Sequence, residues 1–175
     1  MSKSRFLLPA TIVCLLVIRH LRACFFQRFP LRARIIELRY FGGFDLEETA
    51  QALMAEQAVG WHQGRMEFGP RALGHRSILA SPLDPYSTEN LNVYIKRRES
   101  FRKFAASVPA ELASHYFETG PNARNLATVG RVRKEHEATF SEATLGRDLI
   151  RVHTVDAHEN PLFHRLLLEA GKVTG

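Results

Sequence analysis

Two short runs concentrate the side chains best suited to chemistry: Arg65, Arg71 and Arg76 within "GRMEFGPRALGHRS", and Lys96, Arg98 and Arg102 within "IKRRESFR". The first run sets its arginines among three glycines and a proline, with Glu67 as its lone acid. Glycine lets a backbone approach a ligand closely, and successive turn amides form a nest for an anion. A guanidinium grips phosphate or carboxylate oxygens at two points, where an ammonium offers a single charge. These parts build a site for a phosphorylated or otherwise anionic small molecule. The competing reading is a solvated basic face, the commoner fate of charge-rich stretches. Against it stands the entropic cost of fixing glycines on a surface with no core to fill.

For the two runs to share a site, regular elements must carry them together. Asp45 and Glu48 stand in capping-box spacing ahead of Leu46, Ala50, Leu53 and Met54, which predicts a helix over residues 46–57. "AVGWHQ" and "SILAS" read as strands on either side of the arginine-rich run, making that run a connection between strands. Asp84 as N-cap, Pro85 at the first helical position, and Leu91, Val93, Tyr94 and Ile95 on an apolar face predict a second helix. It ends in a basic turn of Lys96, Arg97 and Arg98. "FRKFAASV" reads as a strand from Phe101, and Pro109 opens a short helix through Leu112 and Tyr116. If the strands at Ser77 and Phe101 are neighbours, the two basic runs meet. Residues 120–147 are polar and irregular and read as a long loop or lid with one short helix. "LIRVHTVD" predicts a strand. "NPLFHRLLLEAG" predicts a helix with Asn160 as cap, Pro161 first, Leu162, Leu166 and Ala170 on one face, and Gly171 as its stop. Strands alternating with helices make the fold class α/β.

The 175 residues suit one domain with a real core. The formal charge of +6 is uneven: from His62 to Phe104, eight Lys or Arg face four Asp or Glu. An anionic partner follows, either nucleic acid or a phosphorylated small molecule. Residues 1–36 differ in character. "FLLPATIVCLLVI" is almost wholly apolar, with Lys3 and Arg5 before it and Arg19 after it, like the core of a signal peptide. It is shorter than the ~20 residues that span a bilayer and is interrupted by Pro9. The expectation is an apolar and basic leader joined to a domain over residues 37–175, with no membrane partner. Cys14 and Cys24 both lie in the leader, so neither a disulfide framework nor a cysteine metal site is expected, and a reducing compartment suits the chain.

"GRMEFGPRALGHRSILASP" followed by "LNVYIKRRESFRKFAASV" resembles the C-terminal domain of the NodU/CmcH family of O-carbamoyltransferases. The likeness runs from about Tyr40 to Gly175 and takes in "HYF", then "RVHTVD" ahead of "NPLFHRLL", in the family's order. It implies a YrdC-like fold, a twisted mixed sheet with flanking helices, in which carbamoyl phosphate reacts with ATP, as its Mg²⁺ complex, to give carbamoyl adenylate. It implies further that an N-terminal domain with its own metal site passes the carbamoyl group to a hydroxyl of a sugar, antibiotic or nodulation signal. By this resemblance Lys96, Arg98 and Arg102 are catalytic, and Arg65, Arg71, Arg76, Ser77 and Ser107 bind substrate and nucleotide. The attacking oxygen is already ionised, so the step needs charge neutralisation and alignment rather than a base. Lys103 and Ala106 stand where the family has prolines in "FRPFAPSV", which predicts a looser start to that strand and a shifted Arg102. Measured against the family, the chain stops before the next strand and its "NTSFN" segment and lacks the transfer domain. The expectation is therefore a truncated domain, incomplete for carbamoyl transfer as a single chain, and cytoplasmic like its substrates.

Other candidates are weaker. His153, His158 and His164 do not share one helical face, and no acid-rich segment or cysteine accompanies them, so no metal site is expected. His75 stands where the family has asparagine and reads as a hydrogen-bonding position. Trp61, Phe68, Phe101 and Phe104 offer faces for an adenine, although aromatics at strand positions usually belong to the core. Glu67 and Glu99 read as orienting neighbouring arginines. A double-stranded RNA-binding module is the alternative from another class, and an inactive remnant a third. The arginines cluster in a glycine-bent connection, and "RGG" or RNP-like patterns are missing, which argues against nucleic acid.

Overall fold

Asp45 Oδ1 accepts from the Glu48 amide at 2.8 Å and Glu48 Oε2 from the Asp45 amide at 3.0 Å, closing the capping box that starts α1, Leu46–Met54. This helix buries Thr49, Ala50, Ala52 and Leu53 and stops short of Gln57 because Glu56 takes a positive φ of 57°. The computed structural model describes residues 35–36, 44–65 and 68–174. Nearly all of the expected leader, with Cys14 and Cys24, lies outside the described residues, as does Glu67.

Two sheets carry the fold, which makes it a mixed α/β domain. The first is ordered β1 (Ile35–Ile36), β2 (Ala58–His62), β3 (Arg76–Leu79), with β1 parallel and β3 antiparallel to β2. The second is ordered β4 (Ala105–Pro109), β7 (Leu149–Val155), β6 (Val129–Val132), β5 (Phe117–Glu118), with β4 parallel to β7 and the remaining pairs antiparallel. The long C-terminal helix α5, Pro161–Thr174, packs on α1 and joins the sheets. Ala50 from α1, Trp61 from β2, Val155 from β7, and Phe163 and Leu166 from α5 form one buried cluster. Burying a large apolar side chain stabilises by roughly 1.5–3 kcal/mol, so this cluster holds the two sheets together. A second cluster gathers Val108, Phe117, Val132, Ile150 and Val152. Alternation along β7 therefore sends Ile150 and Val152 one way, and Arg151, His153 and Val155 the other.

Several expectations are corrected. The helix predicted from Asp84 forms over residues 87–95, but most of it is not α-helical. Asp84 Oδ1 accepts from the Tyr86 amide at 2.8 Å, but α2 spans only Ser87–Glu89 before a π-helical turn, Asn90–Ile95, in which the Lys96 amide reaches back to Leu91 O at 2.9 Å. The wider turn shifts the phase on which the apolar face was read: Leu91 is buried, while Val93 and Tyr94 are 41% and 51% exposed. Arg97, at φ 47°, then ends it. The strand expected from Phe101 starts at Ala105 instead, because the buried Asn92 Nδ2 donates to Ser100 O at 3.1 Å and Arg102 O at 2.8 Å and bends the chain there. β3 and β4 lie in different sheets, so neighbouring strands do not bring the two basic runs together.

Residues 120–147 are no simple loop. They contain β6, the helical turns Pro121–Asn125 and Lys134–His136, and α4, Ser141–Thr144; the preceding short helix α3 is Ala113–Tyr116. The alternation that marks a strand is hidden in β6, where the inward positions are Gly130 and Val132. A β-carbon on Gly130 would sit 2.8 Å from Val152 Cγ2 and 3.1 Å from Glu118 O, so close strand approach selects glycine. Gly171 does not end α5; it is not among the residues with positive φ, and the helix continues to Thr174. Among the described residues no helix is long and apolar enough to cross a membrane.

Candidate functional site

The arginine-rich connection between β2 and β3 is fastened at its far end. Gly74 O accepts from Trp61 Nε1 at 2.8 Å and from Gln63 Nε2 at 2.8 Å. Asn160, at the start of α5, donates through Nδ2 to Leu73 O at 3.3 Å. Its Oδ1 accepts from Gln63 Nε2 at 2.6 Å and from the Phe163 amide at 3.2 Å. One side chain thus caps α5 and clamps the turn that delivers Arg71 and His75. Gly74 has a φ of 83°, and a β-carbon there would meet Phe163 Cδ1 at 2.3 Å, so both backbone and packing require glycine. Ser77 Oγ faces back into this turn, accepting from the Gly74 amide at 3.3 Å.

Arg71 and Arg98, from two separate segments, both lie within electrostatic reach of Arg151. Arg71 lies in the connection, Arg98 follows the π-helical turn, and Arg151 is half-buried on β7. Burial first, then repulsion from Arg71 and Arg98, lowers the pKa of Arg151 below the ordinary guanidinium value. Arg98 is held by two contacts: its Nε donates to Asn92 Oδ1 at 2.7 Å, and its Cζ sits 4.7 Å from the centroid of the Phe104 ring. Asn92 is fully buried, with its amide nitrogen engaged by two carbonyls, so its oxygen presents a fixed acceptor. Among the described residues, none of Arg71, Arg98 and Arg151 forms an ion pair with a carboxylate.

The other expected residues occupy different surroundings. Arg102 pairs with Glu99 at 2.9 Å on an exposed flank, and Glu99 is held below the usual carboxylate range first by a backbone hydrogen bond and then by Arg102. Lys96 is exposed where the π-helical turn ends, and Arg65 is exposed at the start of the connection. Arg76 stands on β3 opposite His62. Lys103, in place of a family proline, donates to Leu149 O at 2.7 Å and fastens the approach to β4 to the start of β7. Trp61 is a core residue, whereas Phe68 and Phe101 are exposed.

Ser107 and His153 face each other across the parallel pair of β4 and β7. Ser107 Oγ lies 3.1 Å from His153 Nδ1, and the His153 ring stacks on Phe163 at 6.2 Å between centroids. His153 is only 4% exposed, and burial, with repulsion from His75 behind it, pushes its pKa down to about 4. His75 Nδ1 is buried without a partner among the described residues. The other two histidines of the suspected trio go elsewhere: His164 Nε2 lies 2.8 Å from Glu111 Oε1, and His158 follows the Asp156 turn. Among the described residues no group of three or more His, Cys, Asp or Glu is placed to hold a metal ion. Sequence reasoning passed over Arg151 and Asn92. The signal for Arg151 was available, since Arg151 and His153 alternate with the apolar Ile150 and Val152; Asn92 sits inside a misread helix and carried none.

Residues 50–175 match the family model described as carbamoyltransferase C-terminus. The chain belongs to this family. Among its relatives, nodulation protein NolO of Bradyrhizobium diazoefficiens is 41% identical over 123 residues, covering 68% of this chain and 22% of NolO. Nodulation protein U of Azorhizobium caulinodans is 40% identical over 130 residues, 74% of this chain and 23% of that protein. The 3'-hydroxymethylcephem-O-carbamoyltransferase of Streptomyces clavuligerus is 36% identical over 123 residues, 70% of this chain and 23% of the enzyme. This member of the carbamoyltransferase family thus spans about a quarter of the length of the curated relatives it matches.

Proposed function

We propose that this chain binds carbamoyl phosphate and MgATP where Arg71, Arg98 and Arg151 converge, and joins them as carbamoyl adenylate. The convergence carries the reading. Two unit charges ~10 Å apart repel by roughly 1.7 kcal/mol at an effective dielectric of ~20, and three guanidinium groups without an ion-pair partner turn that repulsion into attraction once a polyanion enters. Family membership supports the chemistry, since one relative is named as an O-carbamoyltransferase. Carbamoyl phosphate, ATP and water give carbamoyl adenylate, inorganic phosphate and pyrophosphate. The phosphoryl group leaves to water, the freed carbamate oxygen attacks the α-phosphorus of ATP, and pyrophosphate departs. The nucleophile is an anion, so the protein's task is to align and neutralise. Arg71, Arg98 and Arg151 grip phosphate oxygens from the centre, and Arg65, Arg76, Lys96 and Arg102 add charge from the flanks. The hydroxyl acceptor is met by a further domain, in the cytoplasm.

The test is titration calorimetry with each substrate, followed by an assay for pyrophosphate release. Arg151→Met is expected to weaken both ligands by at least tenfold with an unchanged or raised Tm, because it removes a repelled charge. A folded chain that binds neither substrate refutes the reading.

A further inference from the structure

The arginine cluster supplies only hydrogen-bond donors, yet a carbamoyl group ends in an amide that must itself donate. Ser107 is a polar group of the right kind on the strand beside Arg151. Its register partner is His153, and Ala105 pairs with Arg151 in the same ladder, so Ser107 lies on the face of β4 and β7 that carries Arg151. Positive charge from Arg71, Arg98 and Arg151 favours the Ser107 oxygen facing the cluster and its hydrogen pointing away. The partner available to that hydrogen is His153 Nδ1, at 3.1 Å. Its ring is held by stacking on Phe163 and lies within electrostatic reach of His75.

We infer that His153 is a positioning residue whose Nδ1 accepts the Ser107 hydroxyl proton, so that Ser107 presents an oxygen acceptor to the amide N–H of a carbamoyl group. The inference rests on the proposed binding of carbamoyl phosphate and adds a source of specificity to it. Acetyl phosphate has nearly the same shape and the same phosphate but carries a methyl group in place of the amino group. It satisfies the arginines and leaves Ser107 facing carbon. A site that hydrogen-bonds a substrate N–H rejects the analogue lacking it, since a polar group is then buried unpaired. A low pKa keeps His153 neutral near pH 7, with a lone pair free for the serine.

Competitive binding of carbamoyl phosphate and acetyl phosphate to the full chain at pH 7.5 tests this. Wild type is expected to prefer carbamoyl phosphate by about tenfold, the discrimination of one good hydrogen bond. Ser107→Ala and His153→Leu are expected to lose the preference while binding acetyl phosphate within about twofold of wild type. His153→Asn, whose Oδ1 replaces Nδ1 as acceptor, is expected to restore the preference. A purely structural role for His153 would change both ligands equally, and the asparagine would rescue nothing; either result overturns the inference. Equal binding of the two ligands by wild type overturns it alone, whereas binding of neither overturns the proposed function and this inference together. Should His153→Leu fail to fold, Ser107→Ala decides the same question.

Discussion

Gly74→Ala probes the joint between α5 and the arginine-rich connection. The added methyl would lie 2.3, 2.7 and 2.8 Å from Phe163 Cδ1, Cε1 and Cγ, and the backbone φ is 83°. The ring cannot simply swing aside, since Phe163 is buried against Trp61 and His153. The left-handed backbone costs an alanine about 1–2 kcal/mol, and overpacking a filled core adds about 1–3 kcal/mol. Reduced freedom of the unfolded chain offsets about 0.5 kcal/mol. The net loss of roughly 2–4 kcal/mol corresponds to a fall in Tm of about 6–15 °C for a domain of this size. Thermal unfolding by circular dichroism measures it. In a Phe163→Leu background the clash is relieved and the cost of Gly74→Ala should fall to about 1–1.5 kcal/mol, the backbone share. An equal cost in the two backgrounds would refute the assignment of strain to the ring, and a Tm within 2 °C of wild type would refute the requirement for glycine altogether.

Asn160→Ala removes the α5 cap and the links to Gln63 and Leu73 O, with an expected loss of about 2–4 kcal/mol by urea unfolding. Asn160→Asp keeps the acceptor for Phe163 and should recover about half of that loss. His153 makes stability depend on pH. Its folded pKa of about 4 lies below the ordinary 6.5, so between these values the unfolded chain binds more protons and stability rises with pH. Its contribution is complete above pH 6.5 and is lost as pH falls toward 4, a change of roughly 3 kcal/mol. Denaturation from pH 4 to 7.5 should show this slope in wild type and a flatter one in His153→Asn; parallel slopes would place the titration elsewhere.

Local chemistry left clear marks in the order of residues. The Asp45 and Glu48 box, the Asn160 cap and the strands at Ala58 and Leu149 are short-range features, settled by hydrogen bonds within one turn or by simple alternation. The errors share a cause. An α-helical period puts Val93 and Tyr94 on an apolar face, but the π-helical turn abolishes that period, and the turn is steadied by Asn92 bonding to carbonyls beyond it. β6 was hidden because Gly130 answers to the packing of Val152, not to any strand propensity of its own.

From its residues alone the chain declared its α/β class, its family resemblance, and an excess of guanidinium groups in glycine-bent backbone suited to an anion. Tertiary structure decided which of those groups lie near one another. Arg71 and Arg98 come within electrostatic reach of Arg151, a residue more than fifty positions further along, because β7 lies beside β4 and α5 pins the turn at Gly74. Ser107 gains its partner His153 through the same pairing. Such meetings depend on strand order and on contacts distant in sequence, and neither spacing nor composition encodes them.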